Sequence, residues 1–141
     1  MDLLTRLKEF YLLESYQVEF YKKHIQFLKS TYLRKVYELL VKIEQSHVDY
    51  FKEAIEKYGG EIPVLTEKII SHAGGLVGLG INLTQIKNAY DLGITFESKA
   101  IEMYRMLIIE TVKEPELNKK LWDFMIEEEF HLLWFKQNHQ H

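Results

Sequence analysis

The sequence contains no cysteine, and only two prolines and seven glycines interrupt its 141 residues. The lack of cysteine excludes disulfides, thiolate metal sites, iron–sulfur clusters and cysteine-based catalysis. No run reaches the roughly 18 apolar residues needed to span a bilayer, and the charged start MDLLTRLKEF is unlike a secretory signal. The net charge is −3 and the bases are scattered, so the basic face typical of nucleic-acid binding is also missing. We therefore expect a cytoplasmic protein that binds no nucleic acid.

The residues that are present favour helices. Hydrophobic residues make up 47% of the chain, and in the first segment they recur at steps of three and four, as at Leu3, Leu7 and Phe10. Gly59 is suited to end a helix, and Pro115 is suited to begin one. Periodicity and these breakers predict four helices, at about 2–29, 32–58, 82–112 and 115–137.

The connections between these helices differ in length. Short turns join the first two and the last two helices, whereas about 59–81 is a long glycine-rich segment in which we expect a short helix from Leu65 to His72. This pattern predicts one all-α domain, 1–141: a ferritin-like four-helix bundle of two antiparallel helical hairpins joined by a long crossover. We expect the crossover either to pack across the end of the bundle or to leave a groove for a flat lipophilic molecule. Contact of the crossover with a membrane surface is left open.

Two ten-residue stretches of the chain nearly repeat each other. They are LESYQVEFYK at 13–22 and FESKAIEMYR at 96–105, and each contains one Glu-Ser pair. In antiparallel helices, residues equidistant from the turn lie at the same height. Positions 14 and 44 average to 29, and positions 97 and 128 average to 112.5, so both midpoints fall in the predicted turns. Glu14 and Glu97 are therefore placed level with acidic residues of the helices that follow them.

The second helix of each predicted hairpin carries a Glu-x-x-His motif. Glu44 and His47 form the first, and Glu128 and His131 form the second. Residues three apart share a helix face and can bind one ion together. A single match is weak, because about 0.7 are expected by chance in a chain of this composition. The doubled order, Glu followed by Glu-x-x-His, is much harder to attribute to chance.

Convergence of these side chains inside a bundle requires compensating charge, because a buried unpaired ion costs several kcal/mol. Two divalent cations would balance four carboxylates, and neutral imidazoles would add nitrogen ligands. This ligand pattern is the general one of ferritin-like di-iron and di-manganese proteins, and carboxylate-rich sites suit iron or manganese. The predicted metal ligands are Glu14, Glu44, His47, Glu97, Glu128 and His131.

Two repeated tyrosines are candidates for orienting the ligands. Tyr21 and Tyr104 each lie seven residues, nearly two turns and about 10 Å, beyond the repeated glutamate of their helix. Each phenol either hydrogen-bonds a ligand carboxylate or is an ordinary core tyrosine. The other repeated acids, Glu19 and Glu102, are rotated by about 140° and are expected to face away.

Several further residues have simpler expected roles. Glu127 could replace Glu128 on geometry alone, although the match between the two motifs favours Glu128. Asp91 and Asp123 are open candidates for partners of the imidazoles. The sequence places His139 in a frayed tail, and it predicts that both tryptophans and most phenylalanines belong to the core.

On these residues the chain resembles the ferritin-like di-iron carboxylate superfamily across essentially its full length. Glu14, Ser15, Tyr21 and the two Glu-x-x-His pairs are similar to the erythrin domain of rubrerythrins, which reduce peroxide. Rubrerythrins usually carry a further glutamate three residues from the third-helix ligand, where this chain has Ile94 and Ala100, and they add a cysteine-bearing module that is absent here.

A second branch of the superfamily also resembles the chain. The stretch SHAGGLVGLGINL at 71–83 and the spacing of Glu97 and Tyr104 are similar to the demethoxyubiquinone hydroxylase family. The first helix departs from that family, because it lacks an acidic-histidine-glycine stretch around Glu14.

These resemblances imply an enzyme: a di-iron oxidoreductase holding two Fe ions, with Mn as an alternative metal. It would use O₂ or peroxide together with a small-molecule or electron-donor reductant, and it would hydroxylate a lipophilic, quinone-like substrate. A rubrerythrin-like peroxidase and a ferroxidase that handles iron are the alternatives, and a metal-free helical interaction module is a third. We expect a homo-oligomer, a dimer, that is cytoplasmic with peripheral membrane contact left open.

Overall fold

The computed structural model of the protein describes residues 2–64 and 87–139. Within these two ranges the chain forms four α-helices and no strands: α1 Leu3–Ile25, α2 Thr31–Lys57, α3 Ala89–Glu110 and α4 Pro115–Asn138. Helix α1 packs against α2, and α3 packs against α4, so the helices form two compact hairpins. Within these two ranges the prediction of helices that pack in pairs is confirmed.

Most of the predicted crossover, and with it the predicted helix from Leu65 to His72, lies outside the described residues. No helix in the described ranges has the length and apolar character that crossing a membrane requires.

The turn between α1 and α2 begins earlier than predicted. Helix α1 ends at Ile25, not near 29, and the amides of Phe27 and Leu28 donate to carbonyls only three residues back, at 3.0 and 3.2 Å. Ser30 then caps α2, because its hydroxyl accepts a hydrogen bond from the Leu33 amide at 3.2 Å. Apolar periodicity continues through this turn, so the sequence pattern alone extended the helix too far.

The end of α2 is fixed by two consecutive glycines. The Gly60 amide donates to the Ile55 carbonyl at 2.9 Å, and the Gly59 amide donates to the Glu56 carbonyl at 3.0 Å. This is the hydrogen-bond pattern of a Schellman motif, and Gly59 has the left-handed φ of 80° that the motif requires. Gly60 also lies against Leu4 of α1, so the end of one helix is packed against the start of the other.

The second hairpin has defined ends as well. Asn88 accepts a hydrogen bond from the Asp91 amide at 2.9 Å, and Asp91 accepts one from the Lys87 amide at 3.1 Å. These hydrogen bonds start α3 at Ala89, not near 82. Pro115 is the first residue of α4, as predicted.

The helices bury one face each, but α1 differs because its central residues are buried on every side. All six residues from Leu13 to Val18 are buried, which is more than a full helical turn. In α4 the buried residues follow helical spacing: Leu117, Leu121, Phe124, Met125, Glu128, His131 and Phe135.

The expectation that both tryptophans belong to the core is wrong for Trp122. Its exposed fraction is 47%, because it lies one residue, or about 100°, beyond the buried Leu121 on α4. Trp134 is only partly buried, and its ring packs edge-on against Phe135 with centroids 5.2 Å apart. Aromatic character alone does not predict the burial of these two side chains, because their angular position on the helix decides whether they face the core.

We predict that Gly93→Ala destabilises the protein despite the better helix propensity of alanine. A Cβ at Gly93 would overlap Cε1 and other ring atoms of Phe135, which is fully buried. Overpacking of about 1–3 kcal/mol should exceed the gain of about 1 kcal/mol from removing a helical glycine. Urea unfolding should show a lower midpoint than wild type. Ser98→Ala, at an exposed position of the same helix, is the control, and an unchanged or higher midpoint for Gly93→Ala would contradict the prediction.

Candidate metal centre

The first hairpin brings two carboxylates and an imidazole together. Glu14 comes from α1, and Glu44 and His47 come from successive turns of α2; all three side chains are fully buried. His47 Nδ1 lies 3.5 Å from Glu14 Oε1 and 3.5 Å from Glu44 Oε2. These three residues are called the first cluster.

The second hairpin repeats this arrangement. Glu97 of α3 and Glu128 of α4 are fully buried, and His131 of α4 is 7% exposed. His131 Nδ1 lies 3.5 Å from Glu97 Oε1 and 3.9 Å from Glu128 Oε1. These residues form the second cluster. The sequence repeat is therefore also a structural repeat, with the same three residue types meeting within each hairpin.

The distances within each cluster suit a shared cation. Metal–ligand bonds of about 2.1 Å place neighbouring ligand atoms about 3.0 Å apart around an octahedral ion and about 3.4 Å apart around a tetrahedral one. The imidazole–carboxylate separations of 3.5–3.9 Å are close to these values, and within each cluster the three ligand atoms lie within 4.8 Å of one another. Each cluster can hold a metal ion after small side-chain adjustments.

Charge balance also favours a cation in each cluster. Two carboxylates and a neutral imidazole carry −2, which one divalent ion neutralises. An imidazolium in the same place would supply one positive charge against two carboxylates, which is half of what a divalent ion supplies. The donor set of carboxylate oxygens and imidazole nitrogens suits iron, manganese or zinc, and does not select among them by itself.

Helical spacing decides which acids enter the clusters. Glu129, next to Glu128, is exposed and pairs with Arg105 of α3 at 3.4 Å. Glu127 is half-buried, whereas Glu128 is completely buried. Of the two acids that the Glu-x-x-His and Glu-x-x-x-His spacings allowed, the structure therefore places Glu128 beside His131.

The other repeated acids face away from the clusters, as expected. Glu19 lies 3.9 Å from Lys22, and Glu102 lies 3.8 Å from Lys99; both are pairs within one helix. Glu102 is well exposed and Glu19 partly so. Such pairs contribute little to stability.

The two repeated tyrosines are buried with their rings in aromatic contacts. Tyr21 meets the Tyr37 ring edge-on at a centroid distance of 5.8 Å, and Tyr104 meets Phe124 in the same way at 6.4 Å. Both are at most 2% exposed. Both tyrosines therefore lie in the core. A hydrogen bond from each phenol that orients a ligand carboxylate stays a prediction.

Asp91 and Asp123, the two candidate partners of the imidazoles, are not members of either cluster. Asp91 accepts from His139 Nε2 at 2.7 Å, and this hydrogen bond, together with that from the Lys87 amide, lowers the pKa of Asp91 below its usual value. The expectation that His139 lies in a frayed tail is therefore wrong, because it joins the end of α4 to the start of α3. Asp123 is exposed.

One buried polar residue on the helix that carries Glu14 was not singled out by the sequence. Gln17 is fully buried on α1, three residues after Glu14. Among the residues that the structure describes, neither its Nε2 nor its Oε1 has a hydrogen-bond partner. A signal was available, because the equivalent residue in the second repeat is Ala100, and a glutamine there breaks the match between the two stretches.

Comparisons of the chain with protein-family models, with curated proteins and with solved structures give no match.

We predict that His24 makes the first hairpin sensitive to acid. Its ring lies 4.9 Å from that of Tyr37, and burial lowers its pKa below the ordinary value of 6.5. Below pH 6.5 the unfolded chain therefore binds a proton more readily than the folded chain, so stability falls as the pH drops from 6.5 toward the folded pKa.

Proton NMR should show a His24 titration midpoint below 6.5. Between pH 7.5 and 5, the free energy of unfolding should fall less in His24→Gln than in wild type. Lys23→Gln, at the exposed neighbouring position, should follow wild type. Equal pH slopes for wild type and His24→Gln would contradict the prediction.

Proposed function

We propose that the chain is a di-iron carboxylate oxidoreductase that activates O₂ or peroxide at two metal ions held by the first and second clusters. The observation that carries the proposal is the occurrence of the same buried Glu, Glu and His set in each hairpin, at nearly the same spacing. One such set by itself would be weaker evidence for a pair of metal ions. Two matching sets in one chain of 141 residues are the arrangement that a pair of cations requires.

In this proposal the two hairpins form a ferritin-like four-helix bundle in which the clusters face each other. Two packed helices cannot enclose their own apolar faces, so each hairpin needs a further layer. The 31 residues between Lys57 and Ala89 are ample for a crossover, because they can extend well beyond the length of α2, about 40 Å for 27 residues. Such a crossover allows the second hairpin to lie alongside the first.

The roles of the protein side chains follow from their chemistry. Glu14, Glu44, Glu97 and Glu128 supply the negative charge and, as carboxylates, can bind through one oxygen or two. His47 and His131 present Nδ1, which requires that this nitrogen be unprotonated. Burial of all six side chains keeps bulk water from the reacting groups and strengthens each electrostatic contact. Two Fe(II) ions bound there would supply the electrons that reduce O₂ or peroxide.

The substrate side of the proposal rests on the sequence resemblance. Hydroxylation of a lipophilic, quinone-like molecule is the first candidate, and the stretch 71–83 that suggests it lies outside the described residues. A rubrerythrin-like peroxidase and a ferroxidase are the alternatives. Hydroxylation and peroxide reduction would each need an electron donor, whereas in the ferroxidase reaction the substrate Fe(II) itself supplies the electrons. We further propose a cytoplasmic homodimer with peripheral membrane contact during hydroxylation.

We predict that the protein binds two Fe(II) ions per chain under anaerobic conditions, and that each cluster accounts for one. His47→Ala and His131→Ala should each lower the stoichiometry to about one, because a single carboxylate pair retains an ion poorly without its nitrogen ligand. Equilibrium dialysis with metal analysis measures this directly. Glu129→Gln, beside a proposed ligand but exposed, is the control and should still bind two.

Metal binding should also raise the melting temperature. An ion at 100 times its dissociation constant stabilises the folded chain by about 2.7 kcal/mol per site if the unfolded chain does not bind it. The proposal is wrong if wild type binds no Fe(II) at micromolar concentrations, or if both histidine variants still bind two. In the first case a metal-free helical interaction module becomes the better description.

We predict that oxidant and size measurements will separate the three candidate reactions. A hydroxylase should remain a small oligomer, consume O₂ and turn over a quinol analogue. A peroxidase should be oxidised rapidly by H₂O₂ and slowly by O₂. A ferroxidase should form a cage-sized assembly on size-exclusion chromatography and take up many irons per chain; a dimer holding two irons would contradict that alternative.

A further inference from the structure

We propose that the Gln17 side-chain amide hydrogen-bonds a small exogenous ligand, an anion or a water-sized molecule, at the cation of the first cluster. The inference rests on the proposed function, because it requires a metal at Glu14, Glu44 and His47. It assigns a separate role to a residue that lies outside the ligand set.

The position of Gln17 on α1 brings it close to the first cluster. Three residues along a helix correspond to a rise of about 4.5 Å and a rotation of about 60° back toward the same face, so residues at i and i+3 are neighbours. Gln17 is thus one turn from Glu14 on a shared face. Both side chains are fully buried.

The amide of Gln17 is costly where it lies. Neither its Nε2 nor its Oε1 has a hydrogen-bond partner among the residues that the structure describes. A buried amide without partners loses its hydration and gains nothing in exchange. Leucine has a similar volume and would avoid that loss at this position. The amide is therefore explained best by a partner that binds from outside the chain.

The two clusters differ at this position. Ala100 occupies the equivalent place three residues after Glu97, and it is also fully buried. The methyl group of alanine offers no hydrogen bond, whereas the glutamine amide offers two donors and an acceptor. At this position the first repeat thus has a hydrogen-bonding side chain where the second repeat has a methyl group. This asymmetry assigns the exogenous ligand to the first cluster.

Azide binding to the cobalt(II)-loaded full chain tests the role of Gln17. Cobalt(II) reports its coordination through visible absorption bands without redox change, and azide is a small anion that accepts hydrogen bonds. Gln17→Leu should bind as much cobalt as wild type, with its azide dissociation constant raised about tenfold, which corresponds to about 1.4 kcal/mol. Gln45→Leu is the matched control, since Gln45 is half-exposed and hydrogen-bonds Asp49 on α2.

The thermal stability of the metal-free variant provides a second measurement. Gln17→Leu should melt at the wild-type temperature or above, because it removes a buried amide that lacks a partner. An unchanged azide affinity would overturn the inference. A lower cobalt stoichiometry would also overturn it, because Gln17 would then be a direct ligand. A marked loss of folding, or of stability without metal, would overturn it as well, because the amide would then stabilise the fold itself.

The outcomes also distinguish this inference from the proposed function. If wild type binds cobalt(II) and Gln17→Leu leaves azide affinity unchanged, only the role of Gln17 is wrong. If wild type binds neither cobalt(II) nor Fe(II), both proposals are wrong.

Discussion

Burial of ionisable side chains is the constraint on which the structure depends. Each hairpin holds two carboxylates and an imidazole that are at most 7% exposed. In each cluster the imidazole Nδ1 lies 3.5–3.9 Å from an oxygen of either carboxylate. In water these groups would be well solvated, and inside a protein they require compensation of comparable strength. A divalent cation in each cluster is the simplest compensation that two carboxylates and a neutral imidazole accept.

The helix ends set the geometry of the clusters. A glutamate on one helix meets a Glu-x-x-His pair on the next only if both lie at the same height above the turn. Ser30 fixes the start of α2, and Pro115 fixes the start of α4. At the far end of the second hairpin, the Asp91–His139 hydrogen bond joins α3 to α4. Local capping therefore sets where each helix begins, and packing of the helices within a hairpin then brings together residues 30 or more positions apart.

Sequence reasoning succeeded where the physics is local or periodic. The match between the two Glu-x-x-His motifs favoured Glu128 over Glu127, and helical spacing predicted that Glu102 faces away from the cluster. It failed at the end of α1, where apolar periodicity continues into a turn, and at Trp122, whose size suggested the core although its angular position faces outward. It also passed over Gln17, because the cost of a buried amide depends on burial and partners that no sequence pattern displays.

The sequence by itself determined that the chain is helical, where its breakers lie, and that a Glu and a Glu-x-x-His motif occur twice. These properties depend on residue type and on spacing of a few residues. Only the tertiary structure decided that each set of three side chains meets within contact distance, that all are buried, and that Gln17 shares their burial while its counterpart is Ala100. Distances between helices and loss of solvent arise from packing, which residue spacing along one helix cannot specify.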